Sequence, residues 1–104
     1  MDQGAPKVTV LNGAAVMFEC RLPVPRNLQG WWYIKIDNRP GLDQARIGET
    51  ASGIVNQALS VRDVYSVHLT PDRMIAHPVP RIDPEVIKEP LRAILETALG
   101  ISFN

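Results

Sequence analysis

The stretch VYSVHLTPDRMIAHPVP, residues 64–80, decides how the rest of the chain is read. Tyr65, Val67 and Leu69 alternate with Ser66, His68 and Thr70, the period of a strand with one buried face. Pro71 suits the second position of a tight turn and Asp72 the third. With Thr70 opposite Arg73, Leu69 meets Met74, His68 meets Ile75, Val67 meets Ala76 and Ser66 meets His77. That register gathers Tyr65, Val67, Leu69, Met74 and Ala76 on the buried face. It turns His68 and His77, both histidines of the chain, to the other.

After the hairpin, DPEV opens a helix, with Asp83 as N-cap, Pro84 in the first helical position and Glu85 at the positive end of the dipole. Ile87, Leu91, Ile94, Leu95 and Ala98 form its apolar stripe, and Gly100 can close it in a left-handed conformation. Pro90 removes a helical hydrogen bond, which predicts a kink near residues 86–89 or a restart. Before the hairpin, residues 42–59 read as a helix with Asp43 as N-cap and Ala51, Ile54, Val55 and Ala58 as its stripe; Gly48 and Gly53 weaken it. Earlier still, WWYIKID (31–37) alternates as a strand, with Trp32, Ile34 and Ile36 on one face and Trp31, Tyr33 and Lys35 on the other. PVPRNLQG (23–30) interrupts the ladder. Asn12-Gly13 joins runs at 8–11 and 15–22 into a hairpin. The expected fold is therefore α+β: a mainly antiparallel sheet with two helices on one face, order ββ-β-α-β-β-α, in a ferredoxin-like layer.

The 104 residues suit one domain, and 45% hydrophobic content is that of a globular chain. Eleven basic and eleven acidic side chains cancel, which argues against nucleic acid or an anionic membrane as partner. No apolar run is long enough to span a bilayer, and no secretory signal is evident. The lone Cys20 cannot form an intrachain disulfide, so a reducing, cytoplasmic setting is expected. Alternation puts Cys20 with Val16, Phe18 and Leu22, as a small buried hydrophobe.

Catalytic parts are missing. The sequence has no phosphate cradle, nucleophile elbow, H-E-x-x-H or C-x-x-C, and its serines and carboxylates are scattered, so an enzyme and a bound cofactor are both disfavoured. His68 and His77 are diagonal neighbours that could share a metal, but two ligands fall short of the three or four protein ligands of zinc sites. The better lead is GWWYIK, aromatic on both faces of its strand. Trp31, Tyr33 and Arg39 are the expected contacts for another protein or a second copy of the chain.

Over residues 51–99, the stretch IVNQALSVRDVYSVHLTPDRMIAHPVPRIDPEVIKEPLRAILETAL resembles the N-terminal domain of Nfu/NifU-type iron–sulfur scaffold proteins. NGAAVMF is similar to the Asn-containing segment that leads into that family's second strand. The resemblance implies an accessory, non-enzymatic role, with an iron–sulfur assembly or recipient protein as partner. The family's cluster-binding C-x-x-C lies in a separate domain, and no residue here matches it. An alternative is a dimeric small-ligand-binding regulatory domain of ferredoxin-like character, with its site near DNRPG (37–41) and the start of the first helix.

Overall fold

In the computed structural model, which describes residues 5–34 and 44–103, the strands are β1 (Lys7–Leu11), β2 (Ala15–Glu19), β3 (Trp31–Ile34), β4 (Val64–Thr70) and β5 (Arg73–Pro78). The helices among these residues are α1 (Gln44–Ile47), α2 (Glu49–Ser60) and α3 (Glu85–Leu99). Among the described residues every strand pairing is antiparallel, and the sheet order is β1-β2-β5-β4-β3. The α+β layer is as expected, but its ferredoxin-like order is corrected. A ferredoxin-like chain alternates as βαββαβ, whereas here three strands precede two consecutive helices, a hairpin and a last helix.

The hairpin at residues 64–78 forms in the register its sequence dictates, from Thr70 opposite Arg73 to Ser66 opposite His77. Thr70 Oγ1 accepts hydrogen bonds from the backbone N–H groups of Asp72 (3.3 Å) and Arg73 (3.1 Å), which closes the turn. One position departs from strict alternation. A register shift between Val64 and Ser66 brings Val64 into the core and leaves Tyr65 exposed, so Tyr65 does not join the buried face. The first hairpin turns at Asn12 and Gly13, both at positive φ (44° and 72°), with Ala14 N–H donating to Leu11 O at 2.7 Å.

The expected helix over 42–59 is two helices. Gly48 sits at φ 94°, outside helical space, and separates α1 from α2. Asp43, its expected N-cap, lies outside the described residues. Ala51, Ile54, Val55 and Ala58 of α2 are buried as their spacing requires. In α3, Asp83 Oδ1 accepts from Glu85 N–H at 3.0 Å, the capping role its position implies. The helix runs unbroken through Pro90, so it does not restart there. Pro90 and Val86 are both exposed, which puts the carbonyl deprived of its partner on the solvent side. Gly100 ends the helix at φ 66°.

The helices cover one face of the sheet, α2 against β4 and α3 against β2, and they touch each other. Val16, Phe18, Tyr33, Val67, Leu69, Met74 and Ala76 meet Ile54, Val55, Ile87, Leu91 and Leu95 in one apolar core. Phe103 completes it from beyond α3: Glu96 accepts its N–H (2.8 Å), Arg92 donates to its carbonyl (2.9 Å), and its ring meets Phe18 edge-on at 5.4 Å. Among the described residues no helix is long and apolar enough to cross a membrane.

Candidate functional site

β3 is an edge strand, paired only with β4 among the described residues. Its pairing sets Trp31 opposite Leu69, Trp32 opposite His68 and Tyr33 opposite Val67. Leu69 and Val67 face the core, so Tyr33 does too and is fully buried, while Trp31 sits at the rim, 38% exposed. Tyr33 as a contact residue is therefore corrected: the helix layer covers the face it shares with Trp31. Trp32, on the face away from the described helices, is the more exposed tryptophan at 53%. Arg39, the third expected contact, lies outside the described residues, as does DNRPG.

Trp32 reaches both histidines. Its ring centroid is 4.4 Å from that of His68 and 5.3 Å from that of His77. Between them on the same face, Ser66 is small and buried. Gly30 comes close to the His68 ring from another side; a Cβ on Gly30 would stand 3.0 Å from His68 Nε2. Sequence reasoning placed the histidine pair correctly, but not the indole, because β3 comes from more than thirty residues earlier in the chain. Among the described residues no group of three or more His, Cys, Asp or Glu side chains could hold a metal.

Enclosure lowers the pKa of both imidazoles below 6.5. For His68 the causes are burial first, then the charges of Arg73 and His77; for His77 the cause is burial. Nδ1 of His77 is shielded and without a hydrogen-bond partner among the described residues, which suits a neutral ring. The unfolded chain binds more protons than the native one from about pH 6.5 downward, so this contribution is complete above pH 6.5 and is lost as pH falls through the lowered native values. The melting temperature is expected to drop between pH 7.5 and pH 5. A His68→Gln, His77→Gln double variant is expected to show a shallower drop, and an unchanged slope in thermal melts would refute this cause.

On the other side of β3, Arg46 of α1 lies over the Trp31 ring, with Cζ 4.0 Å from its centroid. Beside them opens a cleft of about 430 Å³ lined by Pro25, Asn27, Leu28, Gln29 and Gly30. The loop that forms it is tied to the β4–β5 turn by Arg26, which pairs with Asp72 (3.2 Å) and donates to the Pro71 carbonyl. Leu22 N–H also donates to Pro71 O, at 2.8 Å. Trp31 and Trp32 thus form an aromatic corner around the end of β3, each braced by a neighbour.

A hollow of about 560 Å³ lies elsewhere, beside Cys20, with Lys7, Glu19, Arg21 and Asp72 in its wall. Burial pushes the Cys20 thiol up to about 11, so it is an un-ionised side chain packed against the core. Iodoacetamide at pH 8 is expected to modify Cys20 roughly a hundredfold more slowly in the native protein than in guanidinium-unfolded chain. Mass spectrometry of timed aliquots measures this, and equal rates would show an accessible thiolate.

No protein-family model matches the chain, and no curated protein matches it in sequence. Among solved structures, the crystal structure of protein SAV1430 from Staphylococcus aureus is similar, with a TM-score of 0.60 and 14% identity over 92% of this chain and 100% of that one. At that identity the likeness concerns the fold alone.

Proposed function

We propose that this chain is a small non-enzymatic protein-interaction domain whose contact surface wraps the edge strand β3. The observation that carries this reading is the exposure of two adjacent tryptophans on opposite sides of one strand. Indole surface is costly to leave in water and is among the commonest anchors of interfaces. Both rings are already held, Trp31 by Arg46 and Trp32 by His68 and His77, so a partner would not bear the full cost of ordering them. Trp32 and Arg46 take the place of Tyr33 in the contact set, beside Trp31.

The resemblance of residues 51–99 to the Nfu N-terminal domain directs the search for a partner to iron–sulfur assembly or recipient proteins. In this reading the chain serves as an accessory that holds no cluster of its own, in a reducing, cytoplasmic setting. Affinity capture of the tagged protein from native extract at low salt, with mass spectrometry, tests it. Assembly or recipient proteins are expected, with recovery reduced roughly thirtyfold in a Trp31→Ala, Trp32→Ala variant, since losing an anchor typically costs more than about 2 kcal/mol. Recovery of the same proteins by parent and variant, or of none, would overturn the reading.

A further inference from the structure

The interaction reading names a surface but not what it recognises, and the cleft beside Trp31 is more specific. Arg46 Cζ lies 4.0 Å over the indole, a cation–π contact that uses no N–H donor of the guanidinium, and such donors suit a carboxylate. Among the described residues no carboxylate pairs with Arg46. Among the described residues that line the cleft none is acidic, and Arg46 is the one that carries a formal charge. Pro25 and Leu28 supply apolar wall, Asn27 and Gln29 supply amides, and Gly30 brings bare backbone to the surface. Next to the cleft, the outer edge of β3 pairs with no strand among the described residues.

We infer that this cleft takes an extended acidic segment of the partner protein, with an Asp or Glu carboxylate on Arg46 and an adjoining apolar side chain against Leu28 and Pro25. This rests on the interaction reading above and adds the chemistry of the partner. Charge complementarity selects the occupant: a basic segment would meet Arg46 with no counter-charge among the described residues of the wall, and a purely apolar one would bury the guanidinium without a partner. An extended segment can also continue alongside β3, where main-chain hydrogen bonds add affinity and alternate side chains add specificity. The Trp31 stack limits the freedom of the Arg46 side chain before binding, which lowers the cost of using it.

Selection from a random dodecapeptide display library on the full-length protein tests the inference. Enriched peptides are expected to carry Asp or Glu beside an apolar residue. Their affinity for an Arg46→Gln variant, whose fold is checked by circular dichroism, is expected to be weaker by roughly tenfold or more, the loss of one charge-assisted hydrogen-bonded contact. Selection of no peptide, selection without acidic enrichment, or affinity unchanged in Arg46→Gln would each overturn it. So would displacement of the peptides by free glutarate at equal concentration, which would mark a small-carboxylate site. Partner capture lost with Trp31→Ala, Trp32→Ala but unaffected by Arg46→Gln would overturn this inference alone and leave the interaction reading standing. Absence of any captured partner would remove that reading instead.

Discussion

Truncating Phe18 to alanine is expected to lower the free energy of unfolding by about 3–5 kcal/mol, the usual range for emptying a buried phenylalanine site. Phe18 is completely buried in β2, between strands that pair it with Val8 on one side and Met74 on the other. Phe103 loses its support at the same time. The ring is the surface on which Phe103 rests, and Phe103 is in turn held by Arg92 and Glu96 of α3. Neither strand backbone can collapse into the space, because both sides of β2 are fixed by ladder hydrogen bonds. Domains of this size are commonly stable by about 5–15 kcal/mol, so the variant should be marginal and not merely softened. Guanidinium titration at 25 °C measures the effect as a lowered midpoint at unchanged slope. A loss under about 1 kcal/mol would mean that the ring does not lie in the core.

Replacing Gly30 with alanine is expected to cost about 2 kcal/mol, from two separable sources. Gly30 has φ 97°, a conformation that residues with a Cβ rarely adopt. The new methyl would also stand 3.0 Å from Nε2 and 3.2 Å from Cε1 of His68. That ring cannot swing away freely, since Trp32 lies against it. In the Gly30→Ala, His68→Ala double variant the contact disappears while the backbone strain persists. The double variant should therefore be more stable than the sum of the single effects, with a coupling of about 1 kcal/mol in thermal or denaturant melts. Strict additivity would show that the close approach to His68 contributes nothing and that the cost is conformational alone.

The two experiments probe opposite layers of the molecule, and the sequence was legible to different depths in each. The core was largely readable: alternation in 64–78 named Val67, Leu69, Met74 and Ala76, and helical spacing named Ile54, Val55, Ile87, Leu91 and Leu95. The failures there were local. Tyr65 was lost to a bulge, which breaks alternation at a single residue. Ala98 is exposed at the end of its stripe, while its neighbour Leu99 packs against the core. Phe103, after the closing glycine, carried no periodic signal and was missed.

The candidate site was readable only in its parts. The aromatic strand and the histidine pair both stood out, yet which face of WWYI would be covered did not, because both faces are apolar enough to serve. Trp31 with Arg46, and Trp32 with His68 and His77, join residues that are distant along the chain. No periodicity within a window reports such a meeting.

Taken by itself, the sequence determined the presence and sequential order of the five strands, though the second ends at Glu19 and not at 22 and residues 35–37 of the third lie outside the described residues. It also determined the hairpin register, the caps of the last helix and most of the core. Each of these depends on φ/ψ preference and on apolar spacing over a few residues, which are properties of a local stretch. Only the tertiary structure decided the strand order β1-β2-β5-β4-β3, the division of the first helix at Gly48, the burial of Tyr33 and the exposure of Trp32. These follow from where the helix layer comes to rest on the sheet. That position is a compromise among all apolar surfaces at once, and no single segment encodes it.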